Sequence, residues 1–174
     1  PKRSWEFIPR AYSHPFYAKS VSELVSTYAQ VEKVFPQAMI QEYIPGYNLQ
    51  VGLIFDQGKP MAACAIKEHR TFPITGGLSV LRETIKLKPT IFEHACNLLK
   101  SLNWHGIAEV EFRVDSRDFT PKLMEINARF WGSMNTAIKS GIDFPFLLYL
   151  LSKGEKINPI FSYKTGIKLS LIHI

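Results

Sequence analysis

Glu111, Glu125 and Asn127 are the residues of this 174-residue chain whose types and spacing point to shared chemistry. Residues 107–115 (IAEVEFRVD) alternate. Ala108, Val110, Phe112 and Val114 point one way and Ile107, Glu109, Glu111 and Arg113 the other, the period of a half-buried strand. Residues 116–120 are turn formers. Residues 122–127 alternate again, with Leu123, Glu125 and Asn127 on one face and Met124 and Ile126 on the other. A hairpin with a loop of about five residues sets Glu111 opposite Glu125. Facing carboxylates repel unless a cation sits between them, and Asn127 adds a neutral oxygen on the same face. Oxygen donors alone suit Mg²⁺ or Mn²⁺ better than zinc, which would want His or Cys. The same pattern also fits a plain hairpin whose polar face meets water. Arg129 follows at once, a cation for a phosphate beside the proposed metal.

The elements that must position these residues are legible in outline. Residues 20–34 carry Val21, Leu24, Tyr28 and Val31 at helical spacing behind a Ser cap, and Pro36 stops the run. Residues 38–44 (AMIQEYI) read as a strand broken by Pro45 and Gly46. Leu49, Val51, Leu53 and Phe55 alternate, Asp56-Gln57-Gly58-Lys59 makes a turn, and residues 60–66 return as the second arm of a hairpin. Lys67, His69 and Arg70 end that arm. Residues 71–78 (TFPITGGL) then form a loop whose Gly76-Gly77 pair allows backbone to approach a ligand. The alternatives are a surface turn with solvated cations and, for His69, plain exposure. Residues 84–87 suit another strand. Thr90 with Glu93 fits a capping box for a helix marked by Ile91, Ala95, Leu98, Leu99 and Leu102, ended near Gly106. Trp104 and His105 at that exit read as packing and cap residues rather than catalysts. Residues 133–140 suggest a short helix closed by Gly141, its N-terminal dipole near Arg129 favouring anions. Asp143 caps a further helix with Pro145 in its first turn, and Phe144, Leu147, Leu148 and Leu151 supply its core face.

Bulk composition narrows the classes. A chain of this length with 46% hydrophobic residues can bury a core, and 21% charge with no low-complexity run argues against disorder. Residues 144–151 are the longest apolar run, far too short to span a membrane. No signal peptide is visible at the start. Cys64 and Cys96 give no disulfide framework and no metal spacing, which fits buried thiols in a cytoplasmic protein. The net charge of +6 comes from scattered residues, not from a basic stripe interleaved with aromatics. A pocket for polyphosphate explains the sign as well as nucleic acid does, and the reading excludes nucleic-acid and membrane partners.

The stretch MEINARFWGS resembles the metal-binding signature of the ATP-grasp superfamily, in its branch near carbamoyl-phosphate synthetase and stand-alone carboxylate–amine ligases. The likeness runs over residues 4–156. It implies an α+β ATP-grasp fold, antiparallel sheets with packed helices, incomplete at the N-terminus. Residues 1–44 are then a remnant of the N-terminal subdomain, with phosphate loop, helix and hinge strand. Residues 45–168 are the C-terminal subdomain with the metal site. The resemblance places Mg²⁺ (or Mn²⁺) bridging ATP phosphates on Glu111, Glu125 and Asn127, and the transferred phosphoryl or acyl phosphate at Arg129. QEYIPG resembles the hinge that holds adenine, so Gln41, Glu42, Tyr43 and Ile44 are expected to bind it. Asn48 falls where relatives place an acidic residue for the ribose; its other reading is a turn Asn. Arg70 and Lys67 are expected to orient the carboxylate substrate or the γ-phosphate. Pro1 reads as the end of a Lys-Pro pair, and Arg3, Ser4 and Arg10 stand in for the glycines of the usual phosphate loop. The implied activity is an ATP-dependent ligase that activates a small-molecule carboxylate as an acyl phosphate for attack by an amine. The alternative is a nucleotide-binding or regulatory domain without turnover. The chain alone is expected to be inactive, and the full-length protein leaves room for a homodimer. The closing LSLIHI is what CTG-TCT-CTT-ATA-CAC-ATC encodes, a transposon end used in sequencing adapters, so residues 169–174 are expected to be artificial.

Overall fold

The structure is a computed structural model that describes residues 16–74 and 77–171. The readings placed on Pro1, Arg3, Ser4, Arg10, Gly76 and the last three residues of LSLIHI lie outside the described residues. Contacts divide the chain into two units. The first takes in the chain up to Tyr43 together with Phe72–Leu78. The second holds Ile44–Thr71 and the chain from Ser79 onward.

In the first unit, helix α1 (Val21–Val31) starts as expected: the Ser20 Oγ accepts from the Glu23 N–H at 3.2 Å. No residue of α1 is buried. The strand expected at 38–44 does not form, and strand structure begins only at Gly46. Alternation makes a strand only where an edge receives it, and the register of the first strand starts at Gly46↔Asp115. The close approach at Gly77 is to the chain's own backbone. A Cβ there would lie 2.3 Å from the Phe72 carbonyl oxygen.

The second unit is built on a sheet of β1 (Gly46–Asp56), β2 (Lys59–Phe72), β3 (Leu78–Ile85), β4 (Gly106–Asp115), β5 (Pro121–Asn127) and β6 (Lys168–Ser170). Their order is β5-β4-β1-β2-β3-β6, and β1 with β2, β1 with β4, β4 with β5 and β3 with β6 pair antiparallel. The expected hairpin of β1 and β2 is present, while β3 begins six residues ahead of the expected 84. Helix α2 (Pro89–Ser101) starts on Pro89 at N1 behind Lys88, which makes no side-chain cap bond. The Thr90–Glu93 capping box is therefore not used, because proline's fixed φ presets the first turn one residue earlier. Two further helices are α3 (Met134–Ser140) and α4 (Phe144–Ser152), the latter capped by Asp143, whose Oδ1 accepts from the Phe146 N–H at 3.0 Å.

Period-two alternation sends each strand's residues to two cores. Leu49, Val51, Leu53, Ala63, Ala65, Val110 and Phe112 pack with Ile91, Ala95 and Leu99 of α2 on one face. Ile54, Ala62, Cys64, Ile66 and Ile107 pack with Met134, Ala137, Phe144 and Leu147 of α3 and α4 on the other. Cys64 and Cys96 are buried free thiols, as expected. Among the described residues no helix is long and apolar enough to cross a membrane.

Candidate functional site

The face under α3 and α4 turns polar toward one end of the sheet. Continuing the alternation past Ile54 and Ile107 puts Asn48, Gln50, Glu109 and Glu111 there. The register sets Asn48↔Arg113, Gln50↔Glu111 and Gly52↔Glu109 between β1 and β4. Between β4 and β5 it sets Glu111↔Glu125 and Glu109↔Asn127. The expected opposition of Glu111 and Glu125 is therefore met. The expected partnership of Leu123 with them is not. The register shifts after Glu111 so that Phe112 pairs with Leu123, leaving Met124 as the extra residue of a bulge and Leu123 on the other face.

One amide ties the carboxylates together. Asn127 Nδ2 donates to Glu125 Oε1 at 3.0 Å, Glu111 Oε1 at 3.1 Å and Glu109 Oε2 at 3.3 Å. Glu109 is 2% exposed, and its other oxygen accepts from the Ser133 hydroxyl at 3.1 Å. Ser133 is thus spent on Glu109 and makes no side-chain cap for the seven-residue α3. Burial, followed by the charge of Glu111, pushes the Glu109 carboxyl up to about 8. Burial raises Glu111 too, as do Glu125 and Glu68, against the lowering effect of Glu109 and of Arg129. Arg129 is exposed, within electrostatic reach of Glu111.

Three residues without a role in the sequence reading belong to the same face. Glu68 on β2 accepts from Asn48 Nδ2 at 2.8 Å and from Gln50 Nε2 at 2.7 Å. Arg113 donates to the Ile44 carbonyl and to Asn48 Oδ1, both at 2.9 Å. Both ends of the Asn48 amide are therefore held by protein. Arg82, 4% exposed on β3, donates through Nη1 to the Gly132 carbonyl and through Nη2 to the Ser79 carbonyl at 2.6 Å. Burial lowers its pKa, while Glu68, Glu109 and Glu111 raise it. This anchors the segment after Arg129 to the sheet. Trp131 fixes it from the other side, edge-on to Phe144 at 5.1 Å and laid over Gly52, where a Cβ would meet its ring at 2.4 Å. Alternation alone flags Glu68 and Glu109; nothing in the sequence flags Arg82.

Lys67 pairs with Leu49, on the α2 face, its ammonium 4.4 Å from the Tyr47 ring centroid, so the sheet separates it from Glu111. Arg70 is exposed at the end of β2, and neighbouring His69 is bound to Glu83 at 2.7 Å. Ile44 belongs to the sheet unit, with its carbonyl held by Arg113, whereas Gln41, Glu42 and Tyr43 belong to the first unit. His105 accepts from the Gln57 N–H, and Trp104 donates to the Ile107 carbonyl, the packing roles expected of them.

The donor set fits a hard divalent cation. Among the described residues no three of His, Cys, Asp and Glu already enclose a point. Yet three carboxylates share an amide that has only two hydrogens, and the buried Gln50 Oε1, on the residue in register with Glu111, has no hydrogen-bond partner. Under-compensated carboxylates beside an unpaired carbonyl oxygen are the oxygen-rich surroundings that Mg²⁺ takes.

The chain belongs to the ATP-grasp family: residues 34–173 match the family described as ATP-grasp in the biosynthetic pathway with Ter operon. No curated protein matches the chain. Among solved structures it is similar to the biotin carboxylase domain of a thermophilic 2-oxoglutarate carboxylase bound to bicarbonate. That match has 14% identity and a TM-score of 0.64, over 79% of this chain and 34% of the other. It is also similar to an L-amino acid ligase from Bacillus licheniformis, with 21% identity and a TM-score of 0.59, over 76% and 37%. A third is the biotin carboxylase domain dimer of Hydrogenobacter thermophilus 2-oxoglutarate carboxylase with MgADP, ADP and bicarbonate, with 16% identity and a TM-score of 0.59, over 78% and 32%. The chain spans about a third of the length of these structures.

Proposed function

We propose that the chain carries the metal–nucleotide face of an ATP-dependent ligase that activates a carboxylate as an acyl phosphate for attack by an amine, releasing ADP and phosphate. The observation that carries the reading is the in-register pair Glu111 and Glu125 with Asn127 beside them on one face. Glu111, Glu125 and Asn127 would hold Mg²⁺, which when bound screens the phosphate charge. Arg129, exposed next to Glu111, stabilises negative charge on the transferred group. Arg82 keeps the Gly132 turn against β3, so that Arg129 projects from an anchored segment. Residues 1–44 are read as part of an N-terminal subdomain that offers Gln41, Glu42 and Tyr43 to the adenine, and residues 45–168 as the subdomain holding the metal. Arg70 is assigned to the carboxylate substrate. No nucleophilic side chain is needed, since the amine attacks directly.

The test is Mg²⁺-dependent ADP release by the full-length gene product with panels of carboxylic and amino acids. Glu125→Ala is expected to abolish release while the circular dichroism spectrum stays that of the parent. Release at the parental rate in that variant would remove the metal assignment. Nucleotide binding without release for any acid–amine pair would favour a regulatory domain instead.

A further inference from the structure

An asparagine offers a nitrogen and an oxygen of nearly equal size at one position, and only the oxygen can bind a metal cation. Left among carboxylates, the amide turns its N–H groups toward them, as Asn127 does with Glu109, Glu111 and Glu125. A cation taking up Glu111 and Glu125 would withdraw two of those acceptors. Glu109 is the one that remains. It lies opposite Asn127 in register, is 2% exposed, and is pinned through its second oxygen by Ser133. We infer that Glu109 is a positioning residue: by holding Asn127 Nδ2 inward it turns the amide oxygen toward the cation, with Ser133 holding Glu109 in place. The inference rests on the metal reading above and adds a residue to it. Groups one shell out from a metal orient its ligands in this way, and losing one typically lowers metal affinity about 10–100-fold.

The roles of orientation and charge separate by substitution. Glu109→Met keeps the volume and removes the acceptor. Glu109→Gln keeps an oxygen for Asn127, while its amide N–H donates to the Ser133 oxygen. The readout is Mn²⁺ bound by the chain in the presence of ATP, followed by loss of the free Mn²⁺ paramagnetic resonance signal, with the melting temperature recorded alongside. Glu109→Met is expected to weaken Mn²⁺ binding by roughly tenfold or more, and Glu109→Gln to stay near the parent. Asn127→Asp sets a fourth carboxylate among three and is expected to lose Mn²⁺. Adding Glu109→Gln supplies an N–H to hold the new carboxylate and is expected to recover part of the loss, an arm that stands even if Glu109→Met fails to fold. Parental affinity in Glu109→Met, equal losses in the Gln and Met variants, or no recovery in the double variant would overturn the inference. Glu125→Ala separates the two levels. If it loses Mn²⁺ while Glu109→Met does not, only the positioning role falls; if it keeps Mn²⁺, the metal site falls with it.

Discussion

Single residues set how tightly the site is framed, and Gly52 is the clearest case. It lies between Gln50 and Ile54 on β1, opposite Glu109, and leaves room for the Trp131 ring. A methyl group there would stand 2.4 Å from Trp131 Cζ2. Overpacking of that kind costs about 1–3 kcal/mol. Gly52→Ala should therefore lower the unfolding free energy by that amount, read as a lower urea midpoint at unchanged m-value, and an unchanged midpoint would mean that Trp131 is free to move. A second residue governs acid behaviour. Asp115 ends β4 and accepts from the Arg117 backbone N–H and Nε at 2.9 Å; hydrogen bonds from the Arg117 side chain are the main reason its carboxyl falls to about 2. A depressed carboxylate contributes its stability above the unfolded value, near 3.9, and loses it as pH falls through the folded value. The destabilisation of Asp115→Asn relative to the parent should be constant above about pH 5 and shrink from pH 4 toward 2, as followed by denaturation at each pH. A gap independent of pH would disconnect it from ionisation. The residue scale also shows what a sequence can carry. Glu111 facing Glu125 follows from period two and a short loop. The role of Glu109 does not, because its burial depends on Ser133 arriving from beyond β5, a contact of sequence separation 24.

At the scale of elements, two helix caps were readable locally, the Thr90–Glu93 box was misread because Pro89 starts α2 earlier, and pairing that depends on a partner strand was unreadable. Ser20 and Asp143 cap their helices as their sequences imply, since a cap needs only its own first turn. The strand expected at 38–44 failed because β-pairing needs an edge, and alternation does not say whether one exists. The bulge at Met124 was equally hidden: KLMEIN alternates whether or not one residue loops out, and only the mate strand reveals it. The Asp143 cap has a consequence for the site. It starts α4, whose buried Phe144 meets Trp131 edge-on and so backs the segment that carries Arg129. Asp143→Ala should cost about 1 kcal/mol, read as a lower chemical-denaturation midpoint. Stability equal to the parent would show that Pro145 alone is enough to set the first turn.

On the scale of the molecule, stability should be uneven along the chain. The sheet unit buries nearly all of its core in two layers, one under α2 and one under α3 and α4, and β1 at its centre has seven consecutive buried residues. The segment between α1 and β1 is different. Residues 36–43 are mostly exposed, and 38–45 carry no helix or strand. Proteases cut where the backbone opens at little cost, and exposed stretches outside hydrogen-bonded elements open most easily. Chymotrypsin acting briefly on the native chain should therefore cleave first near Phe35, Met39 or Tyr43, and the product beginning in that segment should persist while β1 to β5 stay intact. Mass spectrometry of the early fragments decides it. First cuts at Phe55 or Phe112, both buried in the α2 layer, would mean that the sheet opens before the segment joining it to α1, and the two-layer core would then not be the most stable part of this chain.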